Sequence, residues 1–459
     1  MYYLQNRWVK EGKILHYYGL RNKDKMFCNK IKLSAKQIAV IDKLPCELTA
    51  AELKIISKLT AENIVTVAPK TTPRSLEEAR FCTNCAANDF AIAGLEFDSD
   101  GLCPMCQTKE ETRRLKSIVP IVNEFKRSKK SRFDVAVFYT GGKDSTYLLY
   151  YLSKVLHLRV LALTWEIPYI SKSAQKSIEG AKKTLNTVEF ITRKMSDNDL
   201  KTIYRRLYEL NGNTCACPSL AYVLFYPELV DNKVPYFVAG NETAQIVGLY
   251  YNHIAPKFAY SFRNNKPLNF LINLGRILTL HPPLKKGQFH TLATMKQLAY
   301  GDNPLQKLSD YANPLVSNVC KAIRTVPHTV KPLKRAIRRS SWTGNIPAFV
   351  QVDMSLVSGG YDWQTIKKII TDECGWVAPD ETDKGLHTSC KIEKCKEYTQ
   401  FKRFYDMQSD MIPFSALEIA LASRDGNISR EEAICELSNS LGFSLEEIAE
   451  CAVMKEYLK

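Results

Sequence analysis

The sequence predicts an α/β protein built on a doubly wound parallel sheet. Two observations carry that prediction. From about residue 115 to 256, short apolar runs alternate with helical patterns, and the runs are apolar throughout, as strands covered on both faces must be. The stretches richest in glycine and polar residues fall at the carboxyl ends of those runs, where open parallel sheets bind their ligands.

At 459 residues the chain exceeds one compact core, so two or three domains are expected. Residues 1–75 read as a small unit. Ser34 is placed to cap "AKQIAVIDKL", Thr49 with Glu52 forms a capping box before "LKIISKL", and "IVTVAP" is a short strand. Helix, helix, strand at this size resembles a winged-helix module of the peptide-recognising kind; an accessory cap on a catalytic domain is the plainer alternative.

Residues 76–114 hold "CTNC" and "CPMC" with seventeen residues between the pairs. Cys82, Cys85, Cys103 and Cys106 have the double-knuckle spacing of a structural zinc ribbon, a closed four-thiolate site for Zn2+ that supports folding.

Within 115–256 the strands are "FDVAVFYT", "RVLALTW", "VEFIT" and "PYFVAG". The helices are "TYLLYYLSKVL", "QKSIEGAKKTLN", "SDNDLKTIYRRLYEL" and "PSLAYVLFYPELV". Between the first strand and the first helix stands "YTGGKDS". Gly141 and Gly142 let the backbone turn and approach a ligand, and Lys143 beside a helix start makes a phosphate cradle. Lys143 and Asp144 are expected on a solvent-facing turn. Residues 257–346 form a basic insertion. Residues 347–459 return to the core through "IPAFVQVDMSL" and the helix "YDWQTIKKIITDECGW", then end in helices with capping boxes at Ser429–Glu432 and Ser444–Glu447.

The net charge of +16 concentrates in that insertion, which carries fifteen Lys and Arg against Asp302 and Asp310. An acidic partner is one reading: nucleic acid, a nucleotide sugar, an acidic carrier or a membrane surface. A solvated basic face is the other. No apolar run is long enough to span a membrane, and "MYYLQNRWVKEGK" has no signal core, so a cytoplasmic location is expected. Fourteen cysteines in such a chain point to metal ligands or reactive thiols.

"YTGGKDS" resembles the SGGxDS loop of PP-loop ATP pyrophosphatases such as GMP synthetase, asparagine synthetase and tRNA sulfurtransferases, with Thr140 in place of the usual serine. The resemblance implies a HUP-like core that binds ATP and passes AMP to a carbonyl oxygen of the substrate. Thr140, Gly141, Gly142, Lys143 and Ser145 would hold the pyrophosphate, Asp144 would help place Mg2+, and Leu163 and Thr164 would border the adenine. Gly240 and Asn241 would face the activated carbonyl. An amide oxygen leaves poorly; capped by AMP it leaves well.

Three further stretches resemble N-acetyl sugar amidotransferases. They are "FCTNCAANDFAIAGLEFDSDGLCPMC", "VPYFVAGNETAQ" and "SRDGNISREEAICEL", and with the loop they cover roughly 80–256 and 347–440 in order. That family exchanges a sugar acetamido oxygen for nitrogen in surface-polysaccharide sugar biosynthesis, with ammonia from a separate glutaminase subunit. The resemblance therefore implies an amidotransferase with a glutaminase partner and a nucleotide-sugar substrate.

The chain departs from that pattern. The N-terminal unit and the basic segment have no counterpart need in a sugar enzyme. "NTCACPS" supplies Cys215 and Cys217, and "LHTSCKIEKC" supplies Cys390 and Cys395. Cysteines beyond the loop carry a persulfide or an iron–sulfur cluster in PP-loop sulfurtransferases, so the alternative is thiolation of a tRNA, a peptide or a carrier-bound substrate through Cys215, Cys217 and Cys390. Buried, inert thiols are the plain reading of the same residues. A zinc-ribbon nucleic-acid binder with a dead nucleotide fold is a third reading, against which the intact Lys143–Asp144–Ser145 run stands.

Overall fold

The computed structural model describes residues 1–21, 30–107, 125, 127–212, 214, 216–242, 245, 266–302, 314–357, 362–379, 390–407, 413–440 and 445–459. Cys215 and Ser444 lie outside the described residues. The chain divides into two units: Met1–Lys109 with Gln400–Glu447, and Glu110–Thr399 with Ile448–Lys459.

The first unit holds five short strands: β1 Tyr3–Leu4, β2 Trp8–Glu11, β3 Ile14–Tyr17, β4 Lys30–Lys32 and β5 Val65–Thr66. Strands β2, β3 and β4 form an antiparallel sheet, and β1 pairs with β5. Helices Ala35–Ile41, Ala50–Ile55 and Ser57–Ala61 pack on a core of Trp8, Leu15, Val40, Ile56, Leu59 and Ile64. Both expected N-caps form. Ser34 with Gln37, and Thr49 with Glu52, make reciprocal capping boxes. Strands β1 to β4 add to the helix–helix–strand expectation, because strands this short carry too few residues to show alternation. The later segment adds helices Phe414–Arg424 and Arg430–Ser440, and Ser429 with Glu432 caps the second of these. Arg7 ties the two segments together: it stacks on Phe404 and donates to the carbonyls of Tyr18, Phe404 and Tyr405.

The second unit is the predicted parallel sheet, with helices flanking it. Its strands are β6 Val135–Phe138, β7 Val160–Glu166, β8 Val188–Lys194, β9 Tyr236–Asn241 and β10 Ala348–Asp353, in the order β10-β9-β6-β7-β8. Every neighbouring pair is parallel. Helices Lys143–Tyr150, Lys172–Thr184, Asp197–Asn211 and Cys217–Asp231 are the crossovers. The chain runs β6, β7, β8 to one side, then returns to place β9 and β10 on the other. The switch point therefore lies at the carboxyl ends of β6 and β9. A buried Asp134 fixes the entry to β6: it accepts from the Arg159 backbone and guanidinium and from Ser128 N.

The basic segment forms helices Lys266–Leu278, Gln288–Tyr300, Pro314–Ile323 and Pro327–Thr343. They also contribute to the core. Leu292, Met295, Leu298, Ile323, Leu333 and Ile337 join one buried cluster with Leu161, Phe225 and Phe237 of the sheet and its helices. Apolar positions recur at helical spacing between the cations, so one face packs while another carries charge. The last helix, Ala449–Tyr457, also belongs to this unit; Tyr457 donates to Asp197 at 2.9 Å and meets the Tyr169 ring edge-on. No helix among the described residues is long and apolar enough to cross a membrane.

Candidate nucleotide and thiol site

The glycine loop follows β6 directly. Tyr139 N donates to Leu163 O at 2.9 Å, which holds the loop's entry against β7, and Tyr139 Oη donates to Ser177 O at 3.0 Å. Gly141 has φ of +75°, and a Cβ there would stand 2.5 Å from the Ala174 carbonyl oxygen. Only glycine fits. Gly142 is extended and caps the Lys143–Tyr150 helix. The Thr140 and Ser145 hydroxyls lie 3.2 Å apart across the loop, and Ser145 Oγ donates to Gly142 O. Thr140 thus sets a hydroxyl opposite that of Ser145 across the loop.

Lys143 is not on a solvent-facing turn. Its ammonium contacts Asp144 Oδ1 at 2.8 Å and Glu242 Oε1, and it lies 4.6 Å from the Trp363 ring centroid. Its side chain is 16 % exposed and that of Asp144 19 %, so both are tucked in. Burial pulls the lysine pKa down, but the two carboxylates outweigh it and hold the pKa above its ordinary value. Glu242 follows β9, so this ion group spans the switch point. Asn241 donates to Gln245 Oε1 at 3.0 Å and accepts from Gln351 of β10 at 2.9 Å, while Gln245 Nε2 reaches Asp144 Oδ2 at 3.4 Å. Asn241 therefore belongs to a polar network behind the loop. Gly240 serves packing: a Cβ there would meet Met354 Sδ at 2.8 Å and Leu148 at 3.1 Å.

A cavity of about 390 Å³ opens beside the loop, at the ends of β6 and β7. Thr140, Leu163, Thr164, Cys217, Cys390 and Cys395 all line it. The Thr164 hydroxyl and the Trp165 indole N–H are buried with no hydrogen-bond partner among the described residues. Two orphaned polar groups at a strand end are what a polar ligand edge would satisfy. Cys217 opens the helix Cys217–Asp231, and Cys390 is brought in by an antiparallel bridge to Ile170. Cys395 Sγ lies 2.7 Å from Cys451 Sγ of the last helix, both buried. The structure thus gathers Thr140, Leu163, Thr164, Cys217 and Cys390 around one cavity; Gly141, Gly142, Lys143, Asp144, Ser145, Gly240 and Asn241 do not line it.

The first unit carries the four-cysteine group. All four sulfurs lie within 4.8 Å of one another, with Cys82–Cys106 at 3.8 Å and Cys85–Cys103 at 3.7 Å. Four sulfurs bound at about 2.3 Å to one tetrahedral ion stand roughly 3.8 Å apart, so the spacing fits a single metal ion. A cubane cluster seats each cysteine on its own iron and needs them further apart. Backbone N–H groups of Asn84, Ala87 and Cys103 donate to these sulfurs, which stabilises thiolates. Among the described residues this is the one group of three or more His, Cys, Asp and Glu close enough to share an ion.

Glu242, Gln245 and Trp363 escaped the sequence reading. Glu242 sits in "GNETAQ", next to a residue already singled out, so its position after a strand was a usable signal. Trp363 lies over two hundred residues from Lys143, and nothing local marks it.

No protein-family model matches this chain, and no curated protein sequence does. Among solved structures, the U34-tRNA thiolase NcsA from Methanococcus maripaludis, with its [4Fe-4S] cluster, is similar at 18 % identity. The match covers 58 % of this chain and 86 % of that one with a TM-score of 0.23, too low to bear on function.

Proposed function

We propose that this chain is an ATP-using PP-loop enzyme that adenylates a carbonyl oxygen of its substrate and replaces it with sulfur. One observation carries the choice of nucleophile: Cys217 and Cys390 line the same cavity as Thr140, Leu163 and Thr164. Thiols beside the expected nucleotide pocket can reach a carbon activated there.

In this reading Thr140, Gly141, Gly142, Lys143 and Ser145 hold the pyrophosphate, and Leu163 with Thr164 borders the adenine. Lys143 meets the phosphates, and Asp144 with Glu242 would orient Mg2+. The substrate oxygen attacks the α-phosphorus and pyrophosphate leaves. The outer sulfur of a persulfide on Cys217 or Cys390 then attacks the carbon, and AMP leaves with the original oxygen. The other thiol attacks the cysteine sulfur of the resulting substrate disulfide, which releases the thiolated product and leaves a protein disulfide for a dithiol reductant to reopen. Three cavity thiols also meet the ligand count of a cluster with one open iron, and acid-labile sulfide distinguishes that arrangement from a persulfide. The Cys82, Cys85, Cys103 and Cys106 site holds zinc and supports the first unit. The module at 1–75 serves acceptor recognition, with tRNA as the acceptor of first choice.

The test supplies anaerobic protein with ATP, a cysteine desulfurase, cysteine and bulk tRNA, and follows nucleotide products and thiolated nucleosides. AMP with pyrophosphate is expected, with thiolation lost in Cys217→Ser and Cys390→Ser while pyrophosphate release on adenylation persists. ADP as product would exclude the pyrophosphatase chemistry. AMP formation that responds to ammonia or a glutaminase, with both serine variants fully active, would return the chain to nitrogen transfer on a nucleotide sugar.

A further inference from the structure

The Lys266–Leu278 helix has two apolar faces. Leu268 and Ile272 pack inward on the core cluster. Phe270, Leu271, Leu274, Ile277 and Leu278 point outward and are 41 to 75 % exposed. Their spacing of i, i+1, i+4, i+7 and i+8 puts all five on one stripe. A helix that needed only to seat on the core would carry polar residues there.

The stripe continues past the helix. Leu280 is 80 % exposed and holds φ of +59°, in the left-handed region where glycine or asparagine is usual. The turn is pinned by Leu280 N to Ile277 O and His281 N to Arg276 O, so an apolar side chain is held outward against local preference. His281 stacks on Trp342 at 4.5 Å, and Trp342 is itself 57 % exposed. Arg276 fixes the two helices to each other by donating to the Pro282 and Ser341 carbonyls. Lys285, Lys286, Arg335 and Arg338 are exposed on the same pair of segments.

We propose that this face docks on an anionic lipid bilayer surface. Apolar side chains with a tryptophan at the rim, beside exposed lysines and arginines, are what an interfacial helix presents to headgroups and acyl chains. Charge decides among occupants. A second copy would bring another +16 chain against these cations, whereas an anionic surface neutralises them. Nucleic acid would use the cations but has no complement for a row of aliphatic side chains.

The experiment floats the full-length protein with phosphatidylglycerol-containing vesicles and with pure phosphatidylcholine vesicles. Binding to the anionic vesicles is expected, weakened by salt, and much weaker on the neutral ones. The double variant Leu274→Glu/Leu278→Glu should lose about ten-fold or more in binding. Both positions are exposed, so its melting temperature should match wild type. Lys285→Glu/Lys286→Glu should lose binding while leaving the apolar stripe intact. Wild-type protein that ignores anionic vesicles, or binds neutral ones equally, overturns the proposal. So does a dimer in sedimentation that the leucine variant dissolves, since a second copy would then cover the face. Loss of tRNA binding in the leucine variant would likewise assign the face to nucleic acid.

Discussion

Gly141 leaves no room for a side chain, with its positive φ and the Ala174 carbonyl 2.5 Å from a Cβ. Gly141→Ala is therefore expected to destabilise the protein by about 2 kcal/mol or more, read as a lower denaturation midpoint. Gly142 is extended, and the nearest atom a Cβ would meet is 3.5 Å away, so Gly142→Ala should cost far less. The two glycines look equivalent in "TGGKDS"; only the backbone separates them. Lys143 shows the same limit. Its residue type marked the loop, but its partners Glu242 and Trp363 come from distant segments. Lys143→Ala should abolish AMP formation and also lower stability by roughly 1–3 kcal/mol, because it leaves two inward-facing carboxylates without their cation. A variant inactive yet fully as stable as wild type would contradict that ion group.

At the scale of elements, β6 to β10 were legible because each is an apolar run followed by a helical pattern. Strands β1 to β4 were not, since two to four residues cannot display a period. The packing of the basic helices was not legible for another reason: charge count dominated the reading, while the apolar residues between the cations build part of the core. Helix Gln288–Tyr300 shows this. His290 stacks on Phe349 of β10 at 4.9 Å, and burial pushes its pKa down to about 4. An unfolded histidine titrates near 6.5, so between those values the unfolded chain binds the proton first. Stability is full above about pH 6.5 and falls as pH drops towards 4, by roughly 1 kcal/mol per pH unit from this group. His290→Phe should flatten that part of the profile; an unchanged slope would mean His290 is not the group responsible. Asp134 acts lower in pH. Burial raises its pKa, but hydrogen bonds from Arg159 and Ser128 outweigh it and hold it below its ordinary value. Its contribution is present above pH 4 and lost as pH falls through the folded pKa. Asp134→Asn should cost about 1–3 kcal/mol at neutral pH, with the difference from wild type shrinking as pH falls through the folded pKa.

At the scale of the whole chain, the proposed function rests on two sites. The four-cysteine group was readable from spacing alone, because one ion fixes both the ligand type and the distance between ligands. Cys82→Ser or a strong chelator should remove one zinc per chain and lower the melting temperature of the first unit, as metal analysis with calorimetry would record. The cavity was only half readable. Thr140, Leu163 and Thr164 follow from the loop and the strand ends, whereas the approach of Cys217, Cys390 and Cys395 depends on the bridge to Ile170 and on where the later helices pack. Cys451 had no mark in the sequence at all, yet its sulfur lies against Cys395. The central claim is that these cavity thiols carry the sulfur. It is tested most directly by incubating anaerobic protein with a cysteine desulfurase and sulfur-labelled cysteine, then mapping the label by peptide. Label on the Cys217 or Cys390 peptide, discharged only when ATP and acceptor are both present, is the predicted result. A chain that takes up no sulfur there, or that releases AMP to acceptor with the label untouched, would contradict it.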